Sequence, residues 1–249
     1  MNPCILYNNR LADATPVASS TAAGYNVLNL LDYRSYTWWK PTALPATVTV
    51  DCGSAKAADY AAIYGHNLGS LAATLEVRAS TDNFSTSNVL IASITPANDN
   101  PFLLQFNSVS YRYWRIRITG STMPSLAIAL IGAALVMNDA LEYGFDPVGR
   151  DVMGQANQSV QGHPLGKIID FEAWRQTLQF QVISAAWLRS TFLPAWKNQL
   201  RGNPFLLAWD PTNYPSELYL LLAGDKLSSP LIAPGRHSVN FDVSGVALP

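Results

Sequence analysis

Residues 111–120 have the sequence YRYWRIRITG, which alternates between two kinds of side chain. Trp114, Ile116 and Ile118 share one face with Arg112, and tyrosines and arginines occupy the other face. Alternation with a period of two, in aromatic and β-branched residues, is typical of a half-buried strand. We therefore predict a strand that packs its apolar face into a core and turns its arginines toward water or a partner.

A basic strand with aromatic residues is also compatible with nucleic-acid binding, because bases stack on aromatic rings. The charge of the chain argues against that hypothesis. Residues 1–140 hold 8 Lys/Arg and 8 Asp/Glu, residues 141–249 hold 8 and 9, and the net charge is −1. Neither half attracts nucleic acid or anionic lipid through excess positive charge. We expect no sequence-specific contact with nucleic acid.

The chain is poor in charge and rich in aromatic residues. Charged residues make up 13% of it, against about 25% in typical soluble domains. Hydrophobic residues make up 49%, with 7 Trp and 11 Tyr. Large apolar patches mark interfaces, and aromatic residues are enriched in interface cores. This composition favours a chain that buries surface on copies of itself or on partners. The alternative is a well-buried β-protein with a Ser/Thr/Asn surface.

The sequence offers no sign of secretion or of membrane insertion. Cys4 and Cys52 are too few for a disulfide framework. The N-terminus lacks the basic and apolar regions of a signal peptide. The longest apolar run, residues 126–137, is about half of what a bilayer requires. We expect a protein made in a reducing cytoplasm.

The first 140 residues are dominated by short strand signals. Residues 1–25 are expected to form an extended N-terminal arm or a loosely attached strand, and Asn26 is expected to cap one helical turn. Strands are predicted at 47–51, 60–64, 75–79, 89–94, 102–106, 111–119 and 126–137. Many short strands with turn signals and almost no helix predict a sandwich or a barrel.

The rest of the chain is predicted to form a second, smaller domain. Glycine and proline punctuate residues 141–165, which we expect to be a linker or long loop. Residues 166–249 are predicted to form a small antiparallel sheet or barrel that carries one helix, residues 184–201. The helix is predicted from apolar residues that recur at helical spacing, namely Trp187, Leu188, Phe192, Trp196 and Leu200. Ser184 is the expected N-cap, and Gly202 ends the helix. Pro194 predicts either a kink or a break into two short helices.

No motif for catalysis or metal binding is found. The three histidines, His66, His163 and His237, lack metal-ligand spacing with one another or with cysteine. Residues 162–168 differ from a phosphate-binding loop in spacing and lead into a strand, so that hypothesis is rejected. A carboxylate pair of the glycosidase type meets only in space, and nothing in the sequence singles one out. We expect no catalysis, no cofactor and no metal.

Three side chains are candidate glycan contacts: Trp38, Trp39 and Asp32. Adjacent tryptophans can form a stacking platform at a loop, but neighbours on a strand point in opposite directions. One of the two is therefore expected in the core. Asp32, like Asp51 and Asp82, stands at the end of an element, where Asp usually accepts backbone hydrogen bonds.

Residues 26–137 resemble the galactose-binding-like jelly roll of discoidin, or coagulation factor type C, domains. The segments that carry the resemblance are residues 30–32 with 36–39, residues 48–53, residues 75–82 and residues 111–116. Cys52 departs from the usual leucine. The resemblance implies a jelly-roll sandwich over residues 26–140. That family often binds calcium through an Asp at the position of Asp32 and an acidic group late in the last strand. Residues 126–137 contain no acidic residue, so a calcium site is not expected.

The whole chain resembles a distal-tail or baseplate protein of a long-tailed bacteriophage. The segments are residues 59–68, 204–211 and 241–247. Residues 166–249 are similar to the barrel-plus-helix unit of tail-tube and hub proteins. The resemblance implies a structural protein that forms a hexameric ring and joins the tail tube to the tip proteins. It would be assembled in the host cytoplasm and lie in the tail tip of the virion. The C-terminal domain would make the ring, and the jelly roll would contact neighbours or host surface carbohydrate.

Two other functions stay open at this point. The chain could be a carbohydrate-binding module or adhesin without catalysis, in which Trp38 or Trp39 and a loop aspartate hold the glycan. It could also be a glycan-active enzyme with an accessory sandwich, although no large catalytic domain is evident.

Overall fold

The computed structural model describes residues 2–142 and 144–246. Met1 of the predicted arm, Tyr143 of the predicted linker and residues 247–249 of the predicted C-terminal domain lie outside the described residues. The described chain forms two compact units. The N-terminal unit comprises residues 4–135 and 210–218, and the C-terminal unit comprises residues 2–3, 136–209 and 219–246. The domain boundaries at 140 and 165 stay a prediction.

The N-terminal unit is built almost entirely from strands. These are β1 (Cys4–Leu6), β2 (Val17–Ala18), β3 (Ala46–His66), β4 (Thr74–Ser80), β5 (Val89–Ile94), β6 (Phe102–Thr119) and β7 (Leu126–Gly132). Two short 3₁₀ helices, Arg10–Ala12 and Val27–Leu31, connect them. As predicted, Asn26 caps the second helix by accepting a hydrogen bond from the Leu28 amide, with a length of 2.9 Å.

The long strands β3 and β6 contribute to both layers of a sandwich. The first half of β3 pairs with β2 and with the second half of β6, where Val50 lies opposite Trp114. The second half of β3 pairs with the first half of β6 and with β7, so that Ile63 lies between Phe102 and Ala129. Side chains of both halves enter one hydrophobic core. The predicted antiparallel, jelly-roll-like β-fold is confirmed.

The strand predicted for residues 111–119 is confirmed as the second half of β6. Trp114, Ile116 and Ile118 are at most 1% exposed. One detail is wrong, because Arg112 is exposed instead of sharing their face. Its neighbour Tyr111 packs against the core, with its ring centroid 6.1 Å from that of Trp114. The pairing of β6 with β3 shifts register at this level, and the shift interrupts the alternation.

Several predicted strands merge into longer ones. Residues 47–51 and 60–64 both belong to β3, and residues 102–106 and 111–119 both belong to β6. The predicted strand at 47–51 does not end there, because β3 continues through an irregular stretch in which Gly53 has a φ of +73°. A positive φ at glycine therefore marks a bulge here and not a turn.

The segment predicted as an extended arm is attached to the N-terminal unit over residues 4–25. Leu11 is fully buried, and Val17 lies opposite Thr49 in the pairing of β2 with β3. Asn9, which is 8% exposed, donates to Ala129 O and accepts from the amides of Leu11 and Ile131. The segment has little periodicity because single residues, and not one continuous face, attach it.

The C-terminal unit is a second antiparallel sheet. Its strands are β9 (Asp151–Gln158), β10 (Pro164–Ser184), β11 (Phe205–Ala208), β12 (Leu218–Ser228), β13 (Leu231–Ala233) and β14 (Arg236–Val246). A two-residue strand, β8 (Leu135–Val136), lies where the chain enters this unit. The strand order is β11-β12-β14-β10-β9, and β13 also pairs with β14.

The long loop predicted for residues 141–165 is wrong in its second half. Residues 151–158 form β9, which pairs with the first half of β10 as a hairpin. Gly162 has a φ of +83° in the connecting turn. Gly154 lies inside β9, where a Cβ would come within 2.0 Å of Ile168 O across the hairpin. The glycines that suggested a loop therefore shape the hairpin.

The predicted helix is confirmed as a helical segment over residues 185–200. Ser184 caps it by accepting a hydrogen bond from the Trp187 amide, and Gly202 follows its end with a φ of +99°. Short α-helical turns alternate with wider π-helical turns. Pro194 lies in the first turn of the second α-helical piece, which matches the second of the two predicted alternatives. Phe192 and Trp196 pack against the sheet.

Candidate functional site

A cleft of about 410 Å³ opens on the outer face of the N-terminal unit. We call it the β2 cleft because β2 forms one of its walls. Its lining combines hydroxyl groups, one aromatic ring and both signs of charge, and it includes Ser19, Thr47, Thr49, Asp51, Tyr113 and Arg115. Concave sites with a few convergent polar groups are the usual places for ligands.

The alternation of β3 and β6 creates this cleft. Thr49 lies opposite Arg115 and Asp51 lies opposite Tyr113 in the paired strands. The opposite face of the same strands points into the core and consists of Val48, Val50, Trp114 and Ile116. Because successive side chains of a strand point to opposite faces, burial of the tryptophan face turns Tyr113 and Arg115 outward.

Arg115 is held in one orientation from two sides. Its Nε donates a hydrogen bond of 2.7 Å to Thr49 Oγ1, and its guanidinium carbon lies 3.6 Å from the ring centroid of Phe84. No carboxylate of the described residues lies within ion-pair distance of it. Burial, and secondarily the nearby charge of Arg78, lowers the pKa of Arg115 from its usual value.

A tight loop after β4 holds Phe84 in place. The Asp82 carboxylate accepts hydrogen bonds from the Thr86 hydroxyl and amide and from the amides of Ser85 and Ser87. These bonds, led by that of the Thr86 hydroxyl, keep the pKa of Asp82 well below its usual range. Asn83 and Phe84 both have positive φ values, of +57° and +63°. The carboxylate thus stabilises a backbone conformation that non-glycine residues rarely adopt.

Asp51 is the acidic group of the cleft, and it is already paired. Its oxygens accept from Arg112 Nε at 2.7 Å and from the second Arg112 nitrogen at 2.8 Å. The Gly53 amide donates a third bond, of 2.8 Å. These interactions, with the Arg112 hydrogen bonds first, lower the pKa of Asp51 to about 2. Asp51 therefore stays ionised at neutral pH, and Arg112 balances its charge.

The outer face next to the cleft has more positive than negative charge. Arg78, Arg115 and Arg117 lie on adjacent strands, and Arg78 is directly opposite Arg115. Glu76 is the only carboxylate of the described residues that pairs with any of them. Its Oε2 accepts from Arg78 at 2.7 Å and from Arg117 at 2.9 Å. Hydrogen bonding to Arg78, more than any other interaction, lowers the pKa of Glu76.

The three residues predicted to contact a glycan have different environments. Trp39 is fully buried, and its indole Nε1 donates toward Ser20 O and Thr21 Oγ1, both at 3.3 Å. Its ring offers no face to a ligand, as expected for one member of the adjacent pair. Trp38 is 38% exposed, and Asp32 is half-buried.

Asp32 has the local role that its position suggests. Its carboxylate accepts from the Arg34 amide at 2.9 Å and from the Thr37 hydroxyl at 2.8 Å, and thereby shapes the loop that leads to Trp38. The exposed aromatic residue Tyr36 belongs to the same loop and is 68% exposed. Trp38, Tyr36 and Asp32 therefore form a second candidate surface, which we call the Trp38 loop.

The sequence did not predict the β2 cleft as a site, although it did predict that one face of residues 111–120 points outward. The alternation of residues 111–120 placed Tyr113 and Arg115 on one face, but it does not indicate that Thr49 and Phe84 flank Arg115. Thr49 is 66 positions from Arg115 and becomes its neighbour only through the pairing of β3 with β6. A signal for these contacts was therefore not available in the local sequence.

The rings of two histidines, His66 and His237, make hydrogen bonds to the backbone. The His66 ring bonds to Asn100 O at 2.8 Å and accepts from the Leu68 amide, and burial lowers its pKa. His237 Nδ1 lies 2.9 Å from Ser229 O. Within residues 2–142 and 144–246, no group of three or more His, Cys, Asp or Glu side chains is arranged to hold a metal ion. None of the helices described has the length and apolarity needed to span a bilayer.

Comparisons with known proteins give structural likenesses only. No family model matches the chain, and a search of curated proteins found no significant match. A chitosan-binding module of a Paenibacillus chitosanase/glucanase is 19% identical, covers 49% of this chain and 97% of its own, and has a TM-score of 0.42. A CBM32 module from Clostridium perfringens, solved with GalNAc-β-1,3-galactose, is 17% identical over 51% of this chain and 99% of its own, with a TM-score of 0.43.

A third likeness is to part of a larger enzyme. The GH29 fucosidase of Ruminococcus gnavus, in complex with fucose, is 15% identical and has a TM-score of 0.43. The match covers 51% of this chain and 27% of the fucosidase. All three likenesses concern the fold alone.

Proposed function

We propose that this protein is a non-catalytic carbohydrate-binding protein and that the N-terminal unit binds the carbohydrate in the β2 cleft. The observation that carries the proposal is the lining of the cleft. Tyr113 supplies an aromatic face, Thr47 and Thr49 supply hydroxyls, and Asp51 and Arg115 supply fixed planar groups. A sugar presents apolar C–H faces and hydroxyls together, so a site of this mixed composition suits it.

The β2 cleft is also organised before any ligand arrives. Asp51 is held by Arg112, and Arg115 is held by Thr49 and Phe84. Side chains that are already ordered lose less conformational entropy on binding. Sugars bind mostly through hydrogen bonds to polar side chains, so this order favours recognition of a specific ligand.

The Trp38 loop is the alternative carbohydrate site. Its exposed rings, Tyr36 and Trp38, could stack on a sugar, and Asp32 lies nearby. Asp32 accepts two hydrogen bonds within the loop and Asp51 of the β2 cleft accepts three, so the two carboxylates do not separate the sites. The β2 cleft has in addition the held guanidinium of Arg115. We therefore rank this loop second.

A glycan array followed by titration calorimetry tests the proposal and separates the two sites. We expect the whole chain to bind at least one glycan and Tyr113→Ala to weaken that binding about tenfold or more, because a stacked ring is lost. Trp38→Ala is the matched control, since it also removes one partly exposed aromatic ring. Loss of binding in Trp38→Ala alone would move the site to the Trp38 loop. Absence of binding to any glycan would contradict the proposal.

A second candidate function is assembly into the tail tip of a long-tailed bacteriophage, as a ring with tail-tube and tail-tip proteins as partners. The observation that favours it is the hairpin of β9 with residues 164–172 of β10, where nearly every residue is exposed on both faces. Six apolar side chains of this hairpin are between 38% and 108% exposed, namely Val152, Val160, Leu165, Ile168, Ile169 and Phe171. Exposed apolar strands of this kind usually pair with another chain.

The charges of the C-terminal unit suggest that a second copy covers this hairpin. The hairpin carries three acids and one base, namely Asp151, Asp170, Glu172 and Lys167. The helical segment and the residue after it carry only basic charges, at Arg189, Lys197 and Arg201, all exposed. The hairpin of one copy and the helix of the next are thus complementary in charge. Such head-to-tail contacts form rings when the rotation closes.

Light scattering of the whole chain at high micromolar concentration tests this second candidate. Assembly predicts an oligomer that Ile168→Ser combined with Ile169→Ser disrupts. Leu231→Ser combined with Ile232→Ser is the matched control, because these adjacent residues of β13 are 65% and 51% exposed. A chain that stays monomeric at every concentration, or an oligomer that both double variants disrupt equally, would contradict the role given to the hairpin.

A further inference from the structure

We infer that the ligand of the β2 cleft is an anionic saccharide, one that carries carboxylate or sulfate groups, and that Arg115 pairs with its acidic group. The inference rests on the proposed carbohydrate function and specifies the ligand of the same site. It is carried by three features of the described residues, namely the state of Arg115, the charge around it and the chemistry of the cleft wall.

Arg115 is a partly buried cation without an anionic partner in the described chain. Arg112 pairs with Asp51, and Arg78 and Arg117 both pair with Glu76. Arg115 has only a neutral hydroxyl and an aromatic ring as partners. A desolvated charge costs free energy unless a charge of opposite sign compensates it, so this position favours an incoming anion. The lowered pKa of Arg115 has the same origin.

The orientation of Arg115 suits a planar or tetrahedral acidic group. Thr49 Oγ1 occupies its Nε, and Phe84 covers one face of the guanidinium. The hydrogen-bonding capacity that is left belongs to the two terminal nitrogens. Arginine binds carboxylates and sulfated or phosphorylated groups through two parallel hydrogen bonds, which these nitrogens can donate together.

The surrounding charge adds to this preference. The three arginines on the outer face lie near one glutamate, Glu76, which pairs with two of them, so the group carries a local excess of two positive charges. Such a concentration of charge attracts anions before contact and raises the rate of association. The acidic residue of the cleft, Asp51, does not oppose it, because Arg112 balances its charge through two hydrogen bonds.

The wall of the cleft favours a saccharide over a simple anion. Ser19, Thr47 and Thr49 contribute hydroxyls, Asn83 contributes an amide, and Tyr113 contributes an aromatic ring. These groups can exchange hydrogen bonds with sugar hydroxyls, as both donors and acceptors. The volume of about 410 Å³ is within the range of pockets that hold small ligands.

Calorimetric titration with matched charged and neutral sugars tests the inference. The four probes are oligogalacturonate, its methyl ester, dextran sulfate and dextran. We expect the charged member of at least one pair to bind at least about tenfold more tightly than its neutral counterpart, since a charge-assisted pair is lost with the charge. The preferred pair identifies the group as a carboxylate or a sulfate. Added salt should weaken the charged ligand more than the neutral one.

Arg115→Gln and Arg117→Gln form the matched pair of variants. Both remove one positive charge from the same face of β6, but Arg117 is paired with Glu76 and does not line the cleft. We expect Arg115→Gln to reduce the preference for the charged sugar at least about tenfold and Arg117→Gln to change it by less than about threefold. If Arg115→Gln lowers the melting temperature, two other measurements test whether Arg115 pairs with the acidic group. These are binding by Arg115→Lys and the salt dependence of binding by the unchanged protein.

The outcomes separate this inference from the proposed function. Equal affinity for charged and neutral sugars would overturn the inference and leave carbohydrate binding in place. An equal loss of preference in the two variants would overturn the role of Arg115. Binding to none of the four probes and to no glycan of the array would overturn both the inference and the proposed function.

Discussion

Strand β6 and the hairpin of β9 with the first half of β10 have similar strand-forming sequences but very different surroundings. In β6, Trp114, Ile116 and Ile118 are buried in a sandwich core, and charged partners hold the opposite face. In the hairpin, residues 164–172 are exposed on both faces, and Ile168 and Ile169 are 59% and 57% exposed. Strand-forming residues therefore indicate a strand, but they do not indicate whether other parts of the chain bury its apolar side chains.

The same contrast occurs within a single strand. From Ala173 onward, β10 pairs with β14 and alternates between buried and exposed residues. Before Ala173, its partner in the described chain is β9. Because a two-stranded ribbon is marginally stable alone, the hairpin depends on its continuity with the paired half of β10. This difference in support predicts how the two regions respond to substitution.

The largest expected effect is loss of the central tryptophan of the sandwich. Trp114→Ala should lower the free energy of unfolding of the N-terminal unit by about 3–5 kcal/mol, because a fully buried aromatic ring leaves a cavity. Phe171→Ala, in the hairpin, removes a ring that is 47% exposed and should cost less than about 1 kcal/mol. Chemical denaturation followed by circular dichroism measures both. An equal loss of free energy of unfolding in the two variants would contradict the difference in burial between β6 and the hairpin.

A smaller effect is expected from the buried amide of Asn9. Asn9→Ala should lower the free energy of unfolding by about 1–3 kcal/mol, because it leaves Ala129 O and the Leu11 and Ile131 amides without this partner. Asn157→Ala, at an exposed position of the hairpin, is the control and should change stability by less than about 0.5 kcal/mol. Thermal unfolding of the two variants compares them directly. If Asn9→Ala is as stable as the control, residues 4–25 do not depend on Asn9.

Two carboxylates of the sandwich make stability depend on acid pH. Asp51 has a pKa lowered from 3.8 to about 2, and the pKa of Asp82 is lowered further. A carboxyl group whose pKa is lower in the folded chain than in the unfolded chain stabilises the fold when the pH is above the pKa of the unfolded chain. This stabilisation is lost as the pH falls below about 4 toward 2. We therefore expect Asp51→Asn and Asp82→Asn to have a lower free energy of unfolding than the unchanged protein at pH 7. This difference should shrink as the pH falls below about 4 toward 2 in a series of unfolding curves.

The matched control for this pH series is Asp170→Asn, because Asp170 is exposed in the hairpin. The free energy of unfolding of Asp170→Asn should follow the same dependence on pH as that of the unchanged protein. A difference for Asp51→Asn and Asp82→Asn that stays constant down to pH 2 would show that their ionisation does not stabilise the sandwich.

The smallest expected effect is on the stability of a dilute, monomeric chain with a more polar hairpin. Ile168→Ser combined with Ile169→Ser should change the free energy of unfolding by less than about 0.5 kcal/mol, because both side chains are already exposed. Hydrogen exchange of the same region should be fast compared with that of β6, in line with its weaker support. A loss of several kcal/mol would indicate that the hairpin is packed within the chain.

The sequence was sufficient for the fold where burial produces a period. Trp114, Ile116 and Ile118 identified β6, and the spacing of Leu188, Phe192, Trp196 and Leu200 identified the helical segment. It was insufficient where a glycine has more than one role. Gly53 continues β3 through an irregular stretch, although a glycine at that position also fits the end of a strand.

The candidate site was only partly predictable, for a different reason. The outward position of Arg115 follows from local alternation, but its contacts with Thr49 and Phe84 join segments 66 and 31 positions away. The burial of Trp39 and exposure of Trp38 follow from the pairing of Trp39 with Leu126, which no local pattern reveals. Prediction of such sites requires the register of strands distant in sequence.

A crystal structure of the whole chain with oligogalacturonate or dextran sulfate would test the central claim most directly. We predict a saccharide in the β2 cleft, with its acidic group within hydrogen-bond distance of the terminal nitrogens of Arg115 and its ring against Tyr113. A saccharide bound on the Trp38 loop, or one in the cleft whose acidic group points away from Arg115, would contradict it.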